Sequence, residues 1–215
     1  MTIPCDEYKH KVNYFISNNE ATETNDNFTT KFQKDVRNTL NECRKITDKN
    51  NEWRYINLNQ SAPVMRGLLK IHKFGTPIRP VVNFRNAPTY NLAKTRALKK
   101  YMPLPYVYNV QNSLHLVKDL TNIPYDPNLR SASLDISNMY TNTPIKELLN
   151  ITESTRENNG LEFTLKQEIL RITRLIVTQN YFKFQNKTYI QERGLVMGTP
   201  TSSILSEIYL QCMEN

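Results

Sequence analysis

An α+β fold, an antiparallel sheet with packed helices, follows from three features of the sequence. These are two strand–turn–strand patterns, an apolar stripe at helical spacing ahead of them, and two long helical periodicities between them. The first hairpin lies at 67–84. Gly67, Leu68, Leu69, Lys70, Ile71, His72 and Lys73 read as one strand, 74–77 with Gly75 and Pro77 as a turn, and 78–84 as the returning strand. Pro80 has no N–H for a ladder, which confines that strand to a sheet edge or a bulge. The second hairpin joins 181–184 to 188–191 through the short turn 185–187. The stripe is Phe28, Phe32, Val36, Leu40, Cys43 and Ile46, which predicts a helix over 27–46. Residues 5–18 read as a helix before it, 18–26 as a polar loop and 47–61 as a connector.

Further along, 89–102 reads as a basic helix and 110–121 as another. Residues 131–136 form a short strand that runs into an Asn- and Thr-rich turn, and helices follow at 145–157 and 164–178. Residues 194–200 are a loop that opens into a helix over 201–213, with Thr199 as its cap and Pro200 in its first turn. The chain divides into an N-terminal helical region, 1–60, and a larger unit, 61–215, that holds the hairpins and the motifs below.

Charge narrows the class of partner. The 215 residues carry 28 Lys and Arg against 20 Asp and Glu, a net +8. From Trp53 to Lys118 there is no acid at all, and eleven basic residues: Arg54, Arg66, Lys70, Lys73, Arg79, Arg85, Lys94, Arg96, Lys99, Lys100 and Lys118. The remainder has 17 basic against 20 acidic residues, so the whole positive excess sits in one third of the chain. Aromatics and prolines interleave these charges, which favours a nucleic-acid surface over a disordered basic tail; a solvated basic face is the plain alternative. No stretch approaches the roughly 20 apolar residues of a membrane span. Three distant cysteines and a charged N-terminus lead us to expect an intracellular protein with reduced thiols, nuclear or cytoplasmic, with no membrane partner.

Three segments carry chemistry. The basic hairpin at 66–85 suits the phosphates of a nucleotide, with Arg79 as the bidentate candidate and Lys73 next to it. Asp135 ends the expected strand before a tight turn, where a carboxylate suits a hard cation such as Mg²⁺ or simply caps the turn. Tyr140, five residues on, either presses on a sugar or packs in the core. The loop from Gly194 to Pro200 has two glycines, which let backbone come close to a substrate, and leads to a helix start.

Together these segments resemble a known family. Leu69-Lys70-Ile71-His72-Lys73, Gly75 and Pro77-Ile78-Arg79-Pro80-Val81-Val82 resemble the fingers motif of Penelope-like retroelement reverse transcriptases, and Ala87 to Lys94 the segment that follows it. Ser133-Leu134-Asp135-Ile136 through Tyr140-Thr141-Asn142-Thr143-Pro144 is similar to that family's motif A. Gln179 to Phe182 and Gly194-Leu195-Val196-Met197-Gly198-Thr199-Pro200-Thr201-Ser202 are similar to the lead-in to motif B and to motif B itself. The resemblance runs from about Pro63 to the end of the chain. It implies a right-hand polymerase: fingers and an incomplete palm, Mg²⁺, deoxynucleotide triphosphates, an RNA template and a DNA primer. It implies Asp135 as a metal-binding and catalytic carboxylate. Lys73, Arg79, Ile136, Tyr140, Gly198, Thr199, Pro200 and Ser202 would line the nucleotide site, and Lys70, Arg85, Lys94, Arg96, Lys99 and Lys100 would meet nucleic acid. The sequence departs from the family in having no Asp-Asp pair, the source of its second metal carboxylate. The resemblance therefore leads us to expect a fragment that ends before that motif and is inactive alone. A non-catalytic nucleic-acid-binding remnant of a retroelement is the alternative, and an RNA-directed RNA polymerase is disfavoured by the bulk of Tyr140.

Overall fold

The computed structural model describes residues 3–94, 110, 112–157 and 160–214, with the side chains of 155–157 excepted. Helix α1, Cys5–Asn18, turns Val12 and Ile16 inward. Strand β1, Ala21–Thr24, follows, and then α2, Phe28–Glu42, capped by the Asn27 side chain, which accepts from the Thr29 N–H. A 3-10 turn spans Lys49–Arg54. The first hairpin is β2, Val64–Leu69, and β3, Ile78–Asn83. Short α3, Tyr90–Ala93, comes next; the rest of the basic helix expected at 89–102, with Arg96, Lys99 and Lys100, lies outside the described residues. Then come α4, Ser113–Thr121, α5, Met139–Asn142, α6, Ile145–Glu157, and α7, Phe163–Thr178. The second hairpin is β4, Tyr181–Phe184, and β5, Lys187–Gln191, and α8, Ser202–Glu214, closes the chain.

The α+β class holds, but the sheet is mixed rather than antiparallel. Its order is β1-β5-β4-β2-β3, and β2 runs parallel to β4 with Val64 beside Lys183. The two hairpins are joined side by side, and a parallel neighbour is the result. β3 is an edge strand, where Pro80 costs no ladder bond. The turn of the second hairpin is two residues, Gln185 and Asn186, both at positive φ (49° and 64°). That pair is the geometry of a type I′ turn, whose twist matches the flanking strands.

Further expectations need correction, the first being the helix over 27–46, which ends at Glu42 and leaves Cys43 and Ile46 beyond it. The polar loop at 18–26 contains β1, which pairs antiparallel with β5 from Ala21–Gln191 to Thr24–Thr188. The strand expected to run on to Lys73 stops at Leu69; Lys70 N–H still donates to Pro77 O, and turns at Lys73 and Thr76 then take over. Residues 131–136 form no strand, since no other segment pairs with them among the described residues.

Two cores hold the fold. On one sheet face Val12 and Ile16 of α1 pack on Met65, Val82, Phe182 and Phe184, with Phe182 and Tyr189 stacked. Helices α2, α6, α7 and α8 build the other core around Val36, Leu40, Leu148, Ile172, Leu205 and Ile208. α2 also reaches the sheet face opposite α1, where Phe32 meets Tyr181 edge-on at 5.0 Å and Thr29 Oγ1 lies 3.1 Å from the Tyr181 hydroxyl. Residues before 60 thus share their cores with residues after it. Cys43 is fully buried in the helical core, and burial, reinforced by the Glu168 carboxylate, pushes its thiol up to about 12.

Candidate functional site

The loop from Gly194 to Gly198 is where separate parts of the chain meet. On one side Leu195 N–H donates to Tyr140 O at 2.6 Å. On the other, Val82 N–H on the free edge of β3 donates to Met197 O at 2.8 Å. Asn180, buried just ahead of β4, donates its side-chain N–H to Gly194 O at 3.1 Å. One five-residue loop therefore ties α5 to the edge of the first hairpin.

The two glycines explain how close this approach is. Gly194 has φ +71° and Gly198 φ +118°, both in the region that side chains avoid. A Cβ on Gly194 would drive into the Thr141 carbonyl, and one on Gly198 into the Val82 carbonyl. The open space at these glycines is filled by the protein's own backbone. The sequence pattern had pointed to a substrate there.

Beyond the loop, Thr199 caps α8: its hydroxyl accepts from Ser202 N–H at 3.1 Å. Ser202 is buried and its hydroxyl donates to Val196 O at 2.8 Å, so it is committed to the loop's own folding. Pro200 is half-buried beside them. Tyr140 is half-buried and its ring packs against the helical core. Between α5, the start of α6 and this loop lies an open groove lined by Thr141, Thr143, Lys146, Glu192, Arg193 and Gly194.

Arg79 is exposed on β3, three residues before the Val82 contact. Lys73 sits at the exposed tip, in the loop 70–77 that joins β2 to β3. Gly75 and Thr76 take positive φ there, and Lys11 of α1 donates to Gly75 O at 2.8 Å, an anchor the sequence did not signal. Lys70 at the loop's start is half-buried; Arg85 and Lys94 are exposed. None of Lys70, Lys73, Arg79, Arg85 or Lys94 is in an ion pair among the described residues.

Asp135 stands apart from this convergence. It lies in an irregular segment, beside Leu134 at 95% exposure and Ile136 at 53%, and no described side chain from 112 to 138 is buried. Along the chain the segment runs into the site through the turn at Asn138, which takes φ 52° at the head of α5. Among the described residues no group of three or more His, Cys, Asp or Glu is placed to hold a metal ion. None of their helices is long and apolar enough to cross a membrane. No protein-family model matches this chain, and no curated protein matches it.

Proposed function

We propose that this chain is the fingers and part of the palm of an RNA-directed DNA polymerase of the Penelope-like kind. In that reading it holds an RNA template, a DNA primer and a deoxynucleotide triphosphate. The observation that supports it is the meeting at Gly194–Gly198. Three segments that resemble polymerase motifs, more than 50 residues apart in the chain, are bonded there through their backbones. A sequence that matched the motifs by chance has no reason to bring them together.

Within this reading the side chains have distinct tasks. Arg79 and Lys73, unpaired and exposed on the hairpin, take the triphosphate. Tyr140, half-buried with its ring against the helical core and held by the Leu195–Tyr140 backbone bond, is the residue this reading assigns to limiting the space for a sugar 2′ substituent. Gly198 holds the loop against β3, so the hairpin and α5 keep one spacing. Magnesium chemistry needs carboxylates brought together, and among the described residues no group of three or more His, Cys, Asp or Glu is so placed; Asp135 is exposed. No step through a metal is therefore derived. That same observation favours a second reading, a nucleic-acid-binding remnant without catalysis.

Primer extension, together with the nucleotide sequence past Asn215, separates the two. The chain is incubated with an RNA template, a DNA primer, deoxynucleotides and Mg²⁺. Extension that Asp135→Asn abolishes, with template binding intact, supports the polymerase. In an active chain, Tyr140→Ala should admit ribonucleotides, and continued rejection would remove the sugar-gate role. Salt-sensitive binding with no extension is expected of both readings for a fragment inactive alone; an open frame with an Asp-Asp motif past Asn215 then supports the polymerase and a stop the remnant, and no binding at all refutes both.

A further inference from the structure

The sheet has a second face, and little covers it. Residue pairing across β4, β2 and β3 puts Lys183 beside Val64, Arg66 beside Val81, and Leu68 beside Arg79, all on the face opposite α1. α2 covers this face at Tyr181, two residues before Lys183. Beyond that point Lys183, Arg66 and Arg79 are exposed, with Val64 at 47% and Leu68 at 53% between them.

The three cations are collinear. From Lys183 to Arg66 the path moves one strand across and two residues along; from Arg66 to Arg79 it does the same again. With about 4.8 Å between strands and 3.3 Å per residue, each step is about 8 Å. None of the three is in an ion pair among the described residues. No residue in the registered pairs of this face is acidic. Glu23 pairs with Lys187 from the opposite face, and both Glu23 and Asp26 line a small pocket with Lys183 at the far end of the row. At the other end, past Arg79, the hairpin tip presents Phe74 with its ring wholly in solvent.

We propose that this face is a track for one single-stranded nucleic acid, with phosphates on Lys183, Arg66 and Arg79 and a base stacked on Phe74. A row of evenly spaced cations on one sheet face, none in an ion pair among the described residues, matches a polyanionic backbone. An exposed aromatic at the end of the row gives a surface for a base rather than for a lipid headgroup. The track deepens the polymerase reading and rests on its choice of nucleic acid as partner, but it requires no catalysis. Arg79 is where it meets the triphosphate-binding hairpin.

The test is fluorescence anisotropy of the full chain with a labelled oligouridine across a salt series. Three single-strand phosphate contacts contribute a slope of about −2 in log K against log salt. Arg66→Ala and Lys183→Ala should each weaken binding several-fold and flatten the slope by about 0.7, with Arg66→Lys and Lys183→Arg restoring it. Phe74→Ala should weaken binding and leave the slope unchanged. Lys34→Ala, an exposed cation on α2, should do neither. If Arg66→Ala and Lys183→Ala bind as the unmodified chain does while Arg85→Ala weakens it, the track is wrong and the polymerase reading survives. If the unmodified chain binds no oligonucleotide, both fall. If it binds phosphatidylserine vesicles through Arg66 and Lys183 and ignores oligouridine, the face is a membrane contact and the track is overturned.

Discussion

Gly194 and Gly198 show how single residues set the spacing of the site. Each combines a positive φ with a carbonyl where a Cβ would go, Thr141 in one case and Val82 in the other. Strain of about 1–3 kcal/mol from the backbone alone adds to a clash that only backbone movement relieves. Gly194→Ala and Gly198→Ala should each cost more than about 3 kcal/mol in urea unfolding; a loss under 1 kcal/mol would mean the loop is not held as described. Cys43 gives a prediction in pH. Its folded pKa, about 12, lies above the ordinary thiol value of 9.0 because the neutral form is favoured by burial. Its contribution is therefore complete below pH 9 and is lost as pH rises toward 12. Over that window the slope is at most about 1.4 kcal/mol per pH unit for this one group. Cys43→Ala should lower stability at neutral pH and flatten the fall in melting temperature above pH 9.

Among the elements, the two hairpins were legible because alternation, Pro80 and the tight turn are local signals. Strand β1 was not. Ala-Thr-Glu-Thr has no apolar alternation, and it is a strand only because β5 offers an edge to pair with. The reverse holds at 131–136, where Leu134 and Ile136 alternate as a strand should but no described segment pairs with them. Propensity for a sheet is realised through neighbours, so both errors have one cause. The tip loop 70–77 is a further case, since its link outside the first hairpin is Lys11 on α1. Lys11→Ala should speed amide exchange across 70–77 with a change of under about 1 kcal/mol in global stability. Unchanged exchange there would show that the Gly75 contact does not restrain the tip.

Across the whole molecule, α2 joins the helical core, through Val36 and Leu40, to the sheet face opposite α1, where Phe32 meets Tyr181. The segment 112–138, by contrast, adds nothing to either. Leu134→Ser and Ile136→Ser should therefore change the unfolding free energy by less than about 0.5 kcal/mol. A loss of 2 kcal/mol would mean that these side chains are packed in solution. Taken alone, the sequence determined the α+β class, the confinement of β3 to an edge or a bulge, the cap on α8 and the concentration of positive charge, because each depends on residues near one another in the chain. Only the tertiary structure decided that β2 lies parallel to β4, that Lys183, Arg66 and Arg79 form one row, and that the glycines of 194–198 clasp the protein's own backbone. Those are relations between distant segments, and packing rather than local preference selects them.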